Sequence, residues 1–311
     1  MNITIINNGN PIPSIHYGGT ERVIWGLGYE LYKLGHKITF IVPKGSKCDF
    51  ADVVFLEENV PINSLIPKDT DIVHFNGFYD ESIEFPFVYT LHGNNPEGSV
   101  AEPFTIFISK NQAYRNQGKT FIYNGLLWED YPKVDLNKKR EYYHFLGKAS
   151  WKVKNLQGAC EIAVKSNNKL IVMGGEKWTW ANIKRKPQYT LHPNIKYFKQ
   201  VNNTQKIAIM EQSKGLIFPV KWHEPFGLAI IESMYAGCPV FGTVMGSLPE
   251  LITPEVGFVS NDLSEIVTKI NSLEFSPKYC HEYALENFNS KKMAEKYLEA
   301  YTKILDGESL N

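Results

Sequence analysis

Two glutamates, Glu224 and Glu232, stand eight positions apart in the run His223-Glu224-Pro225-Phe226-Gly227-Leu228-Ala229-Ile230-Ile231-Glu232-Ser233-Met234-Tyr235-Ala236-Gly237-Cys238-Pro239-Val240. An apolar strand ends near Val220, a short loop holds Glu224, and Gly237-Cys238-Pro239 stops the helix that follows. Pro225 fits the first helical position or the loop just before it. The free N–H groups and the dipole at such a helix N-terminus form a site for phosphate. Glu224 stands at its mouth, and Glu232 lies about 7–9 Å further on at about 1.5 Å per residue. Two carboxylates so spaced can grip two sugar rings on either side of a pyrophosphate. The plainer reading is a buried helix with two incidental acids. An unpaired carboxylate between Ile231 and Met234 is costly to bury, which argues against that reading.

A second candidate is the run Phe145-Leu146-Gly147-Lys148-Ala149-Ser150-Trp151-Lys152-Val153-Lys154-Asn155, a strand passing through a tight turn into a basic loop. Cations there can neutralise a departing pyrophosphate. The alternative is a solvated basic loop. A third is Tyr17-Gly18-Gly19-Thr20-Glu21-Arg22, where Gly18 and Gly19 permit close backbone approach to an anion at a helix start; a tight structural turn explains them equally well. The fourth is His92, in Tyr89-Thr90-Leu91-His92-Gly93 at a strand end, although a lone histidine is more often structural. Trp178-Thr179-Trp180 can stack on a sugar or a base, but packing beneath a loop is the preferred reading. Neither a G-x-G-x-x-G fingerprint nor a Walker P-loop follows the strands that open the two halves.

The elements that must hold these groups are legible as apolar runs. Residues 3–6, 38–42, 71–75, 87–91, 105–108 and 121–123 read as buried parallel strands. Val23, Leu27, Leu31 and Leu34 recur at helical spacing between the first two, with Thr20 placed to cap the helix and Gly35 to end it. After the charged stretch 133–141, read as a linker, the pattern restarts with strands at 143–146, 170–173, 195–198, 216–220 and 240–241. Helices are expected near 157–164, 204–213, 228–236 and 290–304; the last needs an apolar partner that either half can supply. The expectation is an α/β protein of two Rossmann-like domains, 1–140 and 141–311, facing across a ligand-binding cleft.

The 311 residues carry 33 Lys+Arg and 33 Asp+Glu, a balance that excludes broad attraction to nucleic acid. The four cysteines are scattered and suggest neither a zinc site nor a disulfide framework. The N-terminal run does not read as a signal peptide, and no apolar stretch has membrane-spanning length. A cytoplasmic protein is expected, with at most a weak peripheral contact with a membrane face.

The Glu224–Glu232 segment resembles the E-x7-E motif of retaining glycosyltransferases of the GT-B fold, particularly family GT4. Phe226-Gly227-Leu228, Ala236-Gly237, Pro239-Val240 and Gly246-Ser247-Leu248-Pro249-Glu250-Leu251 also match, and the likeness runs over most of the chain. It implies that Glu224 contacts the donor sugar, that Glu232 holds the ribose hydroxyls, and that Phe226, Gly227 and Leu228 line the donor site. The basic loop is similar to the family's G-R-x(4)-K-G loop. Here Lys148 stands where arginine is usual, and one extra residue precedes Lys154-Asn155, which leaves Lys152 a weaker rival to Lys154. Gly18-Gly19 resembles the loop facing the donor's distal phosphate. His92-Gly93 falls beside the reacting sugar, and Gly174-Gly175 with Gln200-Val201-Asn202 falls where the base lies, Val201 being the assigned contact. The resemblance implies transfer from a nucleotide sugar, with UDP-sugars favoured, to a glycan, lipid-linked or small-molecule acceptor, in the setting of polysaccharide biosynthesis. It also implies retention of the anomeric configuration and no resident cofactor, and no divalent metal is expected because no Asp-x-Asp run or histidine cluster is read in the chain. An inactive sugar-nucleotide-binding subunit and a nucleotide-sugar epimerase are the alternatives; intact Glu224, Lys148, Lys154 and His92 weigh against the former.

Overall fold

The computed structural model describes residues 1–14, 18–77, 82–96, 98–199 and 201–311. The chain divides into two compact units, Met1–Trp128 with Phe288–Asn311, and Glu129–Asn287. Each is built on a six-stranded sheet whose strands all pair in parallel.

The first sheet contains β1 (Asn2–Ile6), β2 (Lys37–Val42), β3 (Asp52–Phe55), β4 (Ile72–Phe75), β5 (Phe87–Leu91) and β6 (Thr105–Phe107) in the order β3-β2-β1-β4-β5-β6. That is the doubly wound order, in which the chain reverses direction across the sheet between β1 and β4 and ligands gather at the strands' C-terminal ends. The Gly19–Lys33 helix buries Val23, Ile24, Leu27 and Leu31. It lies so close to β2 that a Cβ on Gly28 would stand 2.3 Å from the Phe40 ring. The helix is capped by Gly18, with Thr20 inside its first turn rather than at the cap.

The last helix, Ser290–Leu305, closes this first unit by burying Met293, Ala294, Tyr297, Ala300 and Tyr301. Two of its phenols complete a buried polar network with the sheet. The Tyr301 hydroxyl meets His74 Nδ1 at 2.8 Å, the Tyr297 hydroxyl meets Thr90 Oγ1 at 2.9 Å, and His74 Nε2 meets the same Thr90 oxygen at 2.7 Å.

The second sheet contains β7 (Tyr142–Leu146), β8 (Leu170–Met173), β9 (Ile195–Phe198), β10 (Ser213–Phe218), β11 (Val240–Gly242) and β12 (Gly257–Val259) in the order β12-β11-β10-β7-β8-β9. It repeats the order of the first sheet and places its own reversal between β7 and β10. Phe145, Ile162, Val172, Ile217 and Phe241 form the centre of its core.

Several expectations need correction. The domain boundary lies near 128/129 rather than 140/141; residues 288–311 group with the first unit, one of the two partners left open for the last helix. The charged stretch 133–141 is no free linker. Lys138 pairs with Glu211, and Arg140 donates to the Ser213 carbonyl at 2.5 Å and the Ala236 carbonyl at 3.0 Å. Residues 121–123 form no strand and make one isolated bridge from Phe121 to Phe107. The short strands β3 and β12 were not foreseen. Trp178 and Trp180 are not packed beneath a loop; they are 73% and 69% exposed. Among the described residues, no helix is long and apolar enough to cross a membrane.

Candidate active site

The second sheet brings Glu224 and the basic loop together at its topological reversal. After β7 the chain passes Gly147 and enters a short 3-10 turn, Lys152–Lys154. Asn155 then adopts the left-handed conformation (φ 53°) and caps the Leu156–Lys165 helix by accepting from Gly158 N at 3.2 Å. Its amide also donates to the Pro219 carbonyl at 2.7 Å, and Lys221 N donates to the Val153 carbonyl at 2.8 Å. These bonds join the loop after β7 to the loop after β10. Lys154 Nζ then reaches both Glu224 oxygens, at 2.8 and 2.6 Å, and Trp222 Nε1 donates to the same carboxylate at 2.7 Å. The side chains of Lys154 and Glu224 are only 14% and 6% exposed. The ammonium also lies 5.4 Å from the Phe218 ring centre and 5.0 Å from that of Trp222, within cation–π range.

Of the two rival lysines, Lys154 is the one that reaches Glu224. Lys152 is exposed, and its ammonium makes no ion pair among the described residues. Lys148 is also exposed, with its Nζ 5.0 Å from the Trp151 ring centre.

The Glu224 loop is braced from behind. Ser247 N donates to the Glu224 carbonyl at 3.0 Å, and Ser247 Oγ donates to the Phe226 carbonyl at 2.6 Å. Gly246 (φ 65°) passes so near that a Cβ would lie 2.3 Å from the Glu224 backbone. Only glycine fits there, which gives the Gly246-Ser247 pair a mechanical role. Phe226 is buried. Gly227 (φ 92°) opens the Leu228–Tyr235 helix and, among the described residues, no side chain caps it. Its first N–H groups are thus available to an anion. Pro225 lies in the loop before the helix and not at its first position.

Glu232 is buried in the body of that helix, but it is not unpaired. Lys206, from the Asn203–Met210 helix, makes an ion pair with it, and the Tyr131 hydroxyl donates to it at 2.7 Å. An incidental glutamate could therefore survive there, because the fold supplies its partners. On the neighbouring strand, Gly174 (φ 92°) lies so close to Gly147 that a Cβ would meet its carbonyl oxygen at 2.4 Å. The turns after β7 and β8 are nested by this contact. Val201 is half-buried just before Asn202, which caps the Asn203–Met210 helix in a reciprocal capping box with Gln205. Gln200 lies outside the described residues.

In the first unit, Gly18 (φ 150°) and Gly19 begin the helix after β1; Tyr17 lies outside the described residues. A Cβ on Gly18 would stand 2.5 Å from the buried Glu21 carboxylate, which accepts from Asn10 N at 2.9 Å and Asn10 Nδ2 at 2.8 Å. Gly18 therefore has a packing role whatever it faces. His92 follows β5 at the same C-terminal edge. Its Nε2 meets Asn76 Oδ1 at 2.8 Å. An amide oxygen only accepts, so Nε2 carries the proton and Nδ1 keeps its lone pair. Burial pushes the imidazole down to about 4, so it is neutral at pH 7. Gln112 fixes this loop by donating to the Leu91 carbonyl at 3.0 Å and the Gly93 carbonyl at 2.5 Å.

Contrary to the sequence reading, one Asp-x-Asp run, Asp69-Thr70-Asp71, does occur, but it precedes β4 at the opposite edge of the sheet. Asp69 pairs there with Lys37 at 3.0 Å, and Asp71 accepts from Asn2 N at 2.7 Å. Among the described residues, no three His, Cys, Asp or Glu side chains stand together as a metal site would require.

Residues 128–290, more than half of the chain, match the family model of the glycosyl transferases group 1. A 41.2 kDa protein of the cps region of Klebsiella pneumoniae is 29% identical over 116 residues, which is 35% of this chain and 32% of that protein. The chain thus spans about a third of the length of this curated relative. Among solved structures, AviGT4, a glycosyltransferase involved in avilamycin A biosynthesis, superposes with a TM-score of 0.79 at 20% identity, covering 100% of this chain and 99% of that one. Anabaena Alr3699/HepE, in complex with UDP and glucose, superposes with a TM-score of 0.70 at 16% identity, covering 97% of this chain and 100% of that one. These likenesses show the GT-B fold, and the family match goes further: the chain belongs to the glycosyl transferases group 1.

Proposed function

We propose that the chain is a retaining, metal-independent glycosyltransferase of family GT4, acting in the cytoplasm. It takes its sugar from a nucleoside-diphosphate sugar, with UDP favoured, and passes it to a glycan, lipid-linked or small-molecule acceptor. The observation that carries this reading is the partly buried Lys154–Glu224–Trp222 cluster beside a helix N-terminus with no side-chain cap at the reversal of a parallel sheet. That is where such folds hold phosphate ligands. The complex of HepE with UDP and glucose supports the choice of nucleotide.

The chemistry assigned to each group follows from its environment. The bond between the anomeric carbon and the diphosphate breaks as the acceptor oxygen bonds to that carbon on the same face. As that bond breaks, negative charge builds on the departing diphosphate, which then takes the acceptor's proton on a phosphate oxygen and leaves with the charge it had in the donor. Lys154, Lys148 and the first N–H groups of the Leu228–Tyr235 helix are assigned to stabilise the charge that builds before the proton arrives. Glu224, held by Lys154 and Trp222, is assigned to the hydroxyls of the transferred sugar, and Glu232 to the ribose. Phe226, Gly227, Leu228 and Val201 line the donor, and Gly18-Gly19 faces its distal phosphate. His92, neutral and with a fixed tautomer, is assigned to a hydroxyl of the reacting sugar.

A panel of UDP-, GDP- and ADP-sugars screened by thermal shift tests the donor. Ligand at about 100 times its Kd stabilises by about 2.7 kcal/mol. A panel in which no nucleotide sugar raises the melting temperature refutes the reading. Once a turnover pair is found, proton NMR of the fresh product reports the anomeric configuration, and an inverted product refutes retention.

A further inference from the structure

We propose that the segment around Trp178 and Trp180 docks the second unit onto an anionic lipid bilayer. The proposal goes beyond the transferase reading and does not depend on it. Two adjacent indoles at 73% and 69% exposure are an unusual cost to leave in water, because tryptophan is highly buried on average. Ile183, on the same short Trp180–Lys184 helix, is exposed as well. Their presentation is built into the fold. Thr179 caps the helix by accepting from Asn182 N. The buried Asn182 side-chain amide donates to the carbonyls of Glu176 and Lys177 at 2.9 and 3.1 Å, and the Asn182 backbone carbonyl accepts from Thr190 Oγ1 at 2.7 Å. One sealed asparagine thus holds the loop that carries both rings.

The charge around the rings selects the partner. The chain as a whole is neutral, yet residues 176–186 hold Lys177, Lys184, Arg185 and Lys186 against the single acid Glu176. That acid is already paired with Lys199 at 3.2 Å. Lys186 pairs with Glu161, while Arg185 is exposed to solvent. Each indole carries its own cation: Lys177 Nζ lies 5.6 Å from the Trp178 ring, and Lys184 Nζ lies 4.4 Å from the Trp180 ring. One ammonium group thus lies over each ring. At a bilayer the arrangement is favourable. The indoles enter the headgroup layer, their N–H groups meet water or ester oxygens, and the lysine and arginine heads remain among the phosphates.

The full chain is sedimented with sucrose-loaded vesicles of phosphatidylcholine, with and without about 30% phosphatidylglycerol. The expected result is cosedimentation that depends on the anionic lipid. It should fall about tenfold in Trp178→Ala/Trp180→Ala. In Lys184→Glu/Arg185→Glu the difference between anionic and neutral vesicles should disappear. Both variants change exposed side chains, so their thermal unfolding should match the parent. The proposal is overturned if the parent ignores anionic vesicles. It is also overturned if the tryptophan variant partitions like the parent, including the case where that variant instead loses turnover on a soluble acceptor, which would make the rings a glycan surface.

Discussion

Replacing Glu232 with alanine leaves the Lys206 ammonium without its carboxylate in a place where water hardly reaches. The two side chains are 8% and 5% exposed. Removing one partner of a buried pair costs about 3–5 kcal/mol, whereas replacing both with apolar residues of similar volume is neutral or stabilising by about 1–4 kcal/mol. For a folding unit of this size, each kcal/mol moves the melting temperature by about 2–4 °C. Glu232→Ala should therefore lower the transition of the second unit by about 6–20 °C, and Glu232→Met/Lys206→Met should recover most of that. Scanning calorimetry on the parent, the single variant and the double variant reads this directly. A fall of less than about 2 °C in the single variant, or a double variant no better than the single, refutes the claim that the pair is a buried stabilising unit. The double variant also isolates the ligand role. If it melts like the parent but binds nucleoside diphosphate weakly, Glu232 holds the ribose. If it binds diphosphate like the parent, Glu232 is structural and the assignment to ribose fails.

Lys154→Ala and Lys148→Ala should each weaken donor binding by about 1.5–3 kcal/mol, the worth of a charge-assisted hydrogen bond; Lys152→Ala should do less, and calorimetric titration showing Lys152 as the sensitive position would reverse the reading of the loop. Turnover should survive excess EDTA, since the lysines and helix amides supply the positive charge; complete loss restored by Mg²⁺ or Mn²⁺ would contradict that. Burial holds His74 and His144 neutral, each down to about 3. Below pH 6.5 the unfolded chain protonates these imidazoles while the folded chain does not, so stability falls as pH drops from about 6.5 toward 3, by about 2 kcal/mol per histidine at pH 5. Urea titrations at pH 7 and 5 measure the loss. His144→Gln should flatten the dependence in the second unit, and an unchanged slope would refute the assignment.

The fold was legible because parallel strands buried on both faces read as unbroken apolar runs, as in Ile38–Val42 and Leu170–Met173. The strands that escaped, β3 and β12, lie at sheet edges and are short, so their runs carry less signal. In the site, glycine and glutamate spacing pointed to Glu224, but the groups that hold it came from elsewhere. Trp222 lies two residues before it and reads as any loop aromatic. Lys206 reaches Glu232 from a different helix, and Tyr131 from just before the stretch read as linker. Lysine in a short helix ordinarily marks a solvent face, and nothing local distinguishes Lys206 from one. Asn76, which sets the His92 tautomer, is 16 residues away in sequence and adjacent only because β4 and β5 are neighbours. Pairings of this kind are tertiary. The exposed Trp178 and Trp180 were missed for the opposite reason: burial is the default for indole, and only the fold shows the exception.

The return of Phe288–Asn311 to the first unit inverts the order in which the chain can be completed on the ribosome. Glu129–Asn287 is continuous and can close as soon as it has emerged. The first unit is made earlier but must wait for Tyr297 and Tyr301, the hydroxyl partners of Thr90 and His74. At translation rates of about 5–20 residues per second, that delay is on the order of ten seconds. Throughout it, the first-made sheet presents an open face on which His74 and Thr90 have each other but lack their tyrosine partners. That nascent face is where a chaperone would be expected to engage, and a shortened C-terminus would harm the first unit and spare the second.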